Sequence, residues 1–284
     1  MNTTESEYYP LVSIVTPVKN CFLYIEQCIN SVVSQKYKNV EHILIDGGST
    51  DGTLGIIDKY IKKFPDKIVF KSEKNMGACN AWNEGWLISK GIILGWLGAD
   101  DFYTPDAIEK VVEFFRVNHQ ASFVFGKCLL VGQKNQRITI LGETNIDINK
   151  ALSTGINPIP ATSAFYKRDI IQNIGNLRID INICDFDYWI RVGKRYKIYY
   201  INDILSAFRV SETSTTGSAN SYIQYARERY ILMKEHKNRL SFIWFLGYLL
   251  SFVAILLRNN LGSKHTVYRI IYLLKRITMK LLFW

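Results

Sequence analysis

Short apolar runs alternate with stretches of helical periodicity from Leu11 to Arg116. The apolar runs predict four strands, at Leu11–Thr16, Val40–Asp46, Ile68–Phe70 and Ile92–Leu97. Residues with helical spacing predict helices at Phe22–Ser34, Leu54–Phe64 and Ala78–Ser89, and one more that is capped by Thr104, begins at Pro105 and reaches about Arg116. Alternation of this kind predicts an α/β fold with a doubly wound, mostly parallel sheet.

The alternation weakens in the second part of the chain. Strands are predicted at Ala121–Lys127, Arg137–Leu141 and Tyr196–Ile201, and a helix at Asp187–Lys194. No internal repeat or low-complexity segment interrupts this part. We therefore expect one α/β domain over residues 1–226.

The C-terminal region, residues 227–284, differs in charge and hydropathy. It carries eleven Lys and Arg against two Asp and Glu, a net charge of +9, whereas the whole chain carries +10. Leu240–Leu257 is uncharged and near the lower limit of a bilayer span, and Val267–Trp284 has the pattern of a basic amphipathic helix. We expect these helices to bind an anionic membrane surface rather than nucleic acid. Four arrangements of this region stay open: a single span, a shallow hairpin, a helix packed on a partner subunit, and a core-forming hairpin.

The five cysteines show no Cys-x-x-Cys spacing; they are Cys21, Cys28, Cys79, Cys128 and Cys184. An odd number without that spacing predicts reduced thiols in a cytosolic compartment. The four histidines are scattered, which argues against zinc. Residues 1–10 are polar and predict no signal peptide. Together with the basic tail, this predicts a protein at the cytoplasmic face of a membrane.

Acidic residues follow two of the predicted strands directly. Asp46 opens Asp-Gly-Gly-Ser-Thr-Asp-Gly-Thr, and Asp100 and Asp101 end Trp-Leu-Gly-Ala-Asp-Asp. An open α/β sheet binds its ligand at the carboxyl ends of its strands. There, one acid can hold a base and ribose, and another can hold a divalent cation on a diphosphate. This is the chemistry of sugar-nucleotide transfer.

Four motifs in order carry a family resemblance. They are a strand with Pro and Asn at Ser13–Asn20, the Asp-Gly-rich block at Asp46–Thr53, two Asn-x-Gly triplets within Asn75–Gly85, and Asp-x-Asp-x-Trp-x-Arg at Asp185–Arg191. With the Asp-Asp pair between the last two, residues 11 to about 215 resemble bacterial envelope or lipopolysaccharide-type sugar transferases of glycosyltransferase family 2. The resemblance implies a GT-A fold with a nucleotide-binding half and an acceptor half.

The resemblance also implies a donor site. It assigns Asp46 to the nucleobase, with the backbone of Thr16 and Pro17 beside it, and Glu73 to the sugar-nucleotide loop. Asp101 would bind Mn²⁺ or Mg²⁺, with Asp100 near the ribose or the metal. Arg209 would contact the diphosphate, or else form a structural salt bridge. Two positions depart from the family pattern, since Gly98 replaces the first acid of Asp-x-Asp and Ser211 stands where relatives often have His.

The catalytic base has two candidates. Asp185 matches the base of the family, and Asp187 is the rival, because Cys184 stands where many relatives have Glu. An inverting transfer needs such a carboxylate to take the proton of the acceptor hydroxyl. Both residues could instead cap the helix that follows.

The expected function is that of an inverting, metal-dependent glycosyltransferase of polysaccharide biosynthesis. It would move a sugar from a UDP- or dTDP-sugar to a hydroxyl of a lipid-linked or cell-envelope glycan, at the cytoplasmic face of a bacterial inner membrane. Two alternatives stay open. One is a polyprenyl-phosphate sugar transferase, whose acceptor needs no base, and the other is a non-catalytic nucleotide- or glycan-binding module.

Overall fold

The computed structural model describes residues 9–142, 146–148, 151–152, 157–210 and 219–236. The strands described are β1 (Val12–Val18), β2 (Val40–Asp46), β3 (Ile68–Ser72), β4 (Ile93–Trp96), β5 (Phe102–Tyr103), β6 (Phe123–Val131), β7 (Arg137–Leu141), β8 (Ala164–Lys167) and β9 (Ile198–Arg209). The helices are α1 (Ile25–Val33), α2 (Thr53–Lys63), α3 (Ala78–Ile88), α4 (Ala107–Val117), α5 (Asp169–Ile174), α6 (Cys184–Gly193) and α7 (Ala219–Glu235).

The strands of the described residues form one sheet in the order β3–β2–β1–β4–β8–β6–β9–β5, with β7 paired to β6. The first four strands are parallel, as predicted. β8 runs antiparallel to both of its neighbours. The chain moves outward from β1 to β3 and then returns to place β4 on the other side of β1. An open sheet binds its ligand at such a reversal of strand order.

By internal packing the chain divides into two compact units. The first comprises residues 1–129, 140–144 and 159–208, and the second comprises residues 130–139, 145–158 and 209–284. Leu240–Leu257 and Val267–Trp284 lie outside the described residues, so the membrane association expected of them stays a prediction. Within the part of the chain that the structure describes, no helix is both long and apolar enough to cross a bilayer.

One face of the sheet in the first unit is covered by α1 and α4. α1 buries Ile25, Cys28 and Ile29, and α4 buries Ile108 and Val111. These residues belong to a continuous apolar core with the inward side chains of β1 and β2. Complete burial of each such side chain stabilises the fold by about 1.5–3 kcal/mol. The core holds the strand ends in place beneath the candidate site.

The other face is aromatic and is covered by α3 and α6. Trp86 of α3 lies against Trp96 of β4 and against Tyr188 of α6, with ring centroids 5.6 and 5.2 Å apart. Trp189 lies 5.1 Å from Trp96. Trp86 and Trp96 are buried, whereas Trp82 is only half-buried. This face packs α3 and α6 together on the sheet.

Several element boundaries differ from the prediction. The N-cap of α4 is Asp106, so the predicted cap at Thr104 and helix start at Pro105 are wrong. The hydroxyl of Thr104 instead donates to the carbonyl of Leu205 at 3.2 Å. α6 begins three residues earlier than predicted, and β9 extends to Arg209. Short-range periodicity does not report such boundaries, because contacts with distant strands determine them.

The cysteine prediction is wrong for one pair. Cys79 and Cys184 form a disulfide with their Cα atoms 6.6 Å apart. Cys21, Cys28 and Cys128 are outside this bridge. The two bridged residues lie 105 positions apart in the chain, a separation from which their pairing could not be inferred.

Candidate active site

Asp46 ends β2 and organises the turn that follows it. The side chain is fully buried, and its register partner on β1 is Val18. Its Oδ2 accepts hydrogen bonds from Gly48 N at 3.0 Å and Ser72 Oγ at 2.8 Å, and Oδ1 accepts one from Ser49 N at 3.1 Å. Gly48 has a φ of 90°, where a side chain would be strained. The carboxylate therefore acts as the acceptor around which this turn folds.

The first two motifs are joined by a loop-to-loop contact. Asn20 donates its backbone N–H to Ser49 Oγ at 2.9 Å, and its Oδ1 accepts from Thr50 N at 2.8 Å. Asp51 accepts from Thr53 N at 3.1 Å at the start of α2, whose N-cap residue is Gly52. Burial opposes ionisation of Asp51, but hydrogen bonds from Thr53 and Phe22 lower its pKa. The motif residues thus build the rim of the β1 and β2 ends.

Thr16 and Pro17 stand near the end of β1. The Thr16 side chain is fully buried, and its Oγ1 lies 2.9 Å from His42 Nε2. Burial lowers the pKa of His42 to about 3, so the imidazole is neutral. Pro17 is half-buried and faces Ile45 in register. A ligand would therefore meet the backbone here rather than the Thr16 hydroxyl.

Glu73 follows β3, the strand next to β2. Its backbone N–H donates to Asp46 O at 2.8 Å, while its carboxylate is exposed and lies 3.7 Å from Lys71 Nζ. Asn75 has a φ of 64° and donates its N–H to Gly47 O at 3.3 Å. This loop is thereby held against the turn after β2, and Glu73 is at its exposed edge.

Asp100 and Asp101 form a tight turn at the carboxyl end of β4. The turn is closed by Asp101 N, which donates to Gly98 O at 3.0 Å. A Cβ built on Gly98 would lie 2.5 Å from Asp101 Oδ2 and 3.1 Å from Asp100 Oδ1. The two carboxylates therefore converge over Gly98, and any side chain at that position would collide with them. Glycine at position 98 therefore leaves room for both carboxylates.

The groups beneath this turn are uncharged. Cys28 Sγ donates to Gly98 O at 3.4 Å, and Tyr103 Oη donates to Trp96 O at 2.7 Å. Burial, and to a smaller extent the charge of Asp101, raises the pKa of both groups. The same two causes raise the pKa of Cys128 to about 12. All three are neutral near pH 7, so they supply no cation to Asp100 and Asp101.

Converging carboxylate oxygens suit a hard divalent cation, which takes one or two protein carboxylates and completes its shell with phosphates and water. Asp100 and Asp101 offer that donor set. Over the described ranges, no group of three or more His, Cys, Asp or Glu side chains is placed to hold a metal ion. Of the residues that the structure describes, Asp100 and Asp101 could therefore hold Mn²⁺ or Mg²⁺ together with oxygen ligands of a substrate.

The two candidate bases in the first turn of α6 differ in burial and in their relation to Arg191. Asp187 is buried, and its Oδ2 accepts from Arg191 Nε at 2.8 Å. Arg191 in turn donates to the backbone carbonyls of Ile174 at 3.0 Å and Asn176 at 2.9 Å. Asp187 thus belongs to an ion pair that fastens α6 to the end of α5. Asp185, one residue into the helix, is half-buried and lies outside this ion pair.

Arg209 lies in the second unit. It is buried, and its Nη1 donates to the carbonyls of Gly132 and Gln133, each at 3.1 Å. These carbonyls belong to the turn between β6 and β7, so the guanidinium braces that hairpin. The predicted contact with a diphosphate stays a prediction.

The structure brings most predicted site residues to adjacent strand ends. Thr16 and Pro17 are on β1, Asp46 is on β2, and Asp100 and Asp101 follow β4, the three strands being neighbours in the sheet. Sequence reasoning missed Gly98 as a spatial requirement and missed the bridge that ends beside Asp185. Cys184, directly before the candidate base, was the available signal for the latter.

The chain matches known proteins over most of its length. The model of the family described as glycosyl transferase family 2 matches residues 13–175. An uncharacterized glycosyltransferase of Rickettsia typhi is 27% identical over 227 residues, which are 78% of this chain and 70% of that protein. Chondroitin synthase of Escherichia coli is 37% identical over 116 residues, 41% of this chain and 17% of the synthase.

Two solved structures share the fold. Staphylococcus aureus TarS 1–349 in complex with UDP-GlcNAc has a TM-score of 0.61 at 17% identity, over 88% of this chain and 74% of that one. The mannosyltransferase PcManGT from Pyrobaculum calidifontis, in complex with GDP-Man and Mn²⁺, has a TM-score of 0.61 at 18% identity, over 97% and 79%. The predicted GT-A fold with a mostly parallel central sheet is confirmed. Since the family model covers more than half of its residues, the chain belongs to glycosyl transferase family 2.

Proposed function

We propose that this chain is an inverting, metal-dependent glycosyltransferase that uses a UDP- or dTDP-sugar. The observation that carries the proposal is the convergence of Asp100 and Asp101 over Gly98 at the end of β4, one strand away from Asp46 at the end of β2. Membership of the family supports sugar transfer from a nucleotide sugar in general. The UDP-GlcNAc complex of TarS and the GDP-Man and Mn²⁺ complex of PcManGT support a nucleotide-sugar donor and a divalent cation.

In this proposal the strand ends hold the donor. The turn of Asp46 and the backbone at Thr16 and Pro17 line the nucleobase position, and the loop of Glu73 borders the sugar. Asp101, with Asp100, holds Mn²⁺ or Mg²⁺. The bound cation would offset the negative charge that grows on the nucleoside diphosphate as it leaves.

Asp185 is the proposed base. Its carboxylate would take the proton of the acceptor hydroxyl while that oxygen attacks the anomeric carbon and the bond to the diphosphate breaks. The ion pair of Asp187 with Arg191 supports this choice, because it commits a buried carboxylate to a contact within the fold, whereas Asp185 is the more exposed of the two. Asp187 is proposed to keep α6 in place.

The proposed acceptor is a lipid-linked or cell-envelope glycan at the cytoplasmic face of a bacterial membrane. The net charge of +9 on residues 227–284 supports attraction to an anionic lipid surface. We propose that residues 1–226 form the transferase domain and that the following region associates with the membrane. Binding of the full chain to vesicles with and without anionic lipid would test this part separately.

The first experiment measures release of nucleoside diphosphate from a panel of UDP-, dTDP- and GDP-sugars, with Mn²⁺ or Mg²⁺ and with EDTA. We expect one donor to turn over, and EDTA and Asp101→Ala each to abolish turnover. Asp58→Asn is the matched control, since Asp58 is an exposed partner of Lys62 on α2. Absence of turnover together with absence of metal-dependent nucleotide binding would contradict the proposal.

Asp185→Asn distinguishes the kind of acceptor. If the acceptor is a hydroxyl, turnover should fall by about 10²–10⁴-fold, the usual contribution of a positioned base. A polyprenyl-phosphate acceptor is already ionised and needs no base, so a small effect of Asp185→Asn would favour that alternative.

A further inference from the structure

Helix α3 connects the proposed donor site to the helix of the proposed base. It begins at Ala78, immediately after the loop that contains Glu73 and Asn75. A Cβ on Gly85 would overlap the side chain of Val15, so α3 rests directly on β1. The position of α3 is therefore set by the strand whose end lines the donor site.

The same helix holds the segment that leads to Asp185. Asn83 forms two hydrogen bonds with Leu177, from Nδ2 to the carbonyl at 3.0 Å and from Leu177 N to Oδ1 at 2.9 Å. Trp86 packs on Tyr188, and Cys79 is bridged to Cys184. Positions 79, 83 and 86 lie on one face of α3, because their spacing is close to one and two helical turns. One face of α3 thus contacts the segment 177–188 at Leu177, Cys184 and Tyr188.

The bridge ends at the first residue of α6. Cys184 is the first residue of α6, and Asp185 is the second. The N-cap residue is Ile183, whose side chain has no acceptor for the N–H groups of the first turn. A helix start without a capping side chain loses about 1 kcal/mol of stability relative to a capped one and tends to fray. A covalent link at Cys184 restrains this turn in place of a cap.

We propose that the Cys79–Cys184 bridge positions the carboxylate of Asp185 and makes turnover depend on the thiol redox state. The proposal rests on the proposed function through the role of Asp185. Neither cysteine touches the substrates, so both are positioning residues. In the oxidised chain α3 and the first turn of α6 are covalently joined and move as one body, and in the reduced chain only non-covalent contacts, among them those of Asn83 and Trp86, connect them.

The redox step needs an external disulfide, such as glutathione disulfide. The thiolate of Cys79, which is half-buried, attacks one sulfur of glutathione disulfide and releases one glutathione thiolate. The thiolate of Cys184 then attacks the mixed disulfide and releases the second. Two protein thiols are oxidised and one glutathione disulfide is reduced, and the two protons lost by the protein thiols are taken up by the two released glutathione thiolates. Dithiothreitol reduces the bridge again and is itself oxidised to its cyclic disulfide.

The test compares the full chain after equilibration with glutathione disulfide and after reduction with dithiothreitol. Alkylation in denaturant should modify three cysteines in the oxidised chain and all five in the reduced chain. With the donor and cation identified above, kcat should fall by about tenfold or more on reduction, since small displacements of a catalytic group are costly. KM for the donor should stay unchanged, the limb of the pH profile that reports the base should shift, and reoxidation should restore both.

Three variants separate positioning from general damage. Cys79→Ser and Cys184→Ser should each behave like the reduced chain and lose the response to redox state. Cys21→Ser keeps both bridge cysteines and should retain the response of the natural chain. Hydrogen exchange should report faster exchange of the amides of residues 184–188 in the reduced chain and in both bridge variants.

Two results would overturn the proposal. One is failure of the alkylation to distinguish three from five reactive cysteines. The other is equal kcat, pH profile and hydrogen exchange in the two redox states. If the proposed function itself fails, neither state turns over any donor, and the exchange at residues 184–188 then decides whether the bridge restrains this turn.

Discussion

The turns after β2 and β4 both place aspartate at the carboxyl end of a parallel strand, but they use it differently. Asp46 accepts hydrogen bonds from Gly48 and Ser49 in its own turn and from Ser72 at the end of β3. Asp100 and Asp101 converge over a glycine, above groups that stay neutral. The first turn uses a carboxylate to fold the backbone, and the second turn brings two carboxylates together. The same residue type at equivalent positions thus has two physical roles.

The contrast recurs within one turn of α6. Asp187 is in an ion pair with Arg191, which is anchored to the end of α5, whereas Asp185 is outside that pair and half-buried. Substitution of a carboxylate that holds the fold should lower stability. Substitution next to Asp100 and Asp101, the carboxylates of the proposed cation site, should lower turnover. The following predictions sharpen or break this division.

The largest effect is expected for Asp187→Asn. Removing one charge of a buried ion pair leaves Arg191 uncompensated, so the free energy of unfolding should fall by about 3 kcal/mol, as measured with urea. Asp180→Asn is the matched control, because Asp180 pairs with Arg178 at the surface and should change stability by less than about 0.5 kcal/mol. If Asp187→Asn is as stable as the natural chain, Asp187 is not needed to hold the fold.

Gly98→Ala should act on turnover. The added Cβ would lie 2.5 Å from Asp101 Oδ2 and force the two carboxylates apart, so turnover of the donor should fall by about 100-fold. Gly55→Ala on α2 is the control, since a Cβ there meets nothing within 4 Å and should leave turnover unchanged. Turnover of Gly98→Ala within twofold of the natural chain would show that convergence of the carboxylates is not needed.

Asp46→Asn should act on stability first. The amide presents N–H groups to a turn whose N–H and hydroxyl donors need acceptors, which should cost about 1–3 kcal/mol. Thermal and urea unfolding measure the loss. Ser72→Ala removes one of the donors and should cost less. If the Asp46→Asn variant is stable and fails only to bind nucleotide, the carboxylate serves ligand binding rather than folding of the turn.

The smallest effect is a pH dependence from His42 beneath the turn of Asp46. Burial lowers the pKa of its imidazole to about 3, against about 6.5 in the unfolded chain. Between these values the unfolded state binds a proton that the native state does not, so stability falls as pH falls, by about 1 kcal/mol from pH 6 to 5. His42→Gln should remove this part of the slope, whereas His119→Gln, at an exposed position, should keep it. An equal slope in His42→Gln would contradict the assignment.

Local patterns predicted the bounds of some strands. Those of β2, in the nucleotide-binding half, and of β7, in the second part of the chain, agree with the prediction. The grouping of Asp46 with Asp100 and Asp101 followed from the position of these acids directly after predicted parallel strands. Neighbouring parallel strands bring their carboxyl ends to one edge of the sheet.

What the sequence could not predict depends on contacts between distant residues. β8 is a four-residue strand whose partners lie on β4 and β6, and its local pattern gives no sign of its central place. The choice between Asp185 and Asp187 depended on where Arg191 points. The requirement for glycine at position 98 became visible only when the positions of both carboxylates were known.

The central position of β8 has a consequence for how the chain is made. β4 and β6 emerge from the ribosome well before Ala164–Lys167, the strand that joins them in the sheet. Until that strand is synthesised, both edges are open to pairing with other chains. At a synthesis rate of about 5–20 residues per second, this interval lasts for seconds. The interval between β6 and β8 is therefore a period in which the nascent chain is exposed to aggregation through these two edges.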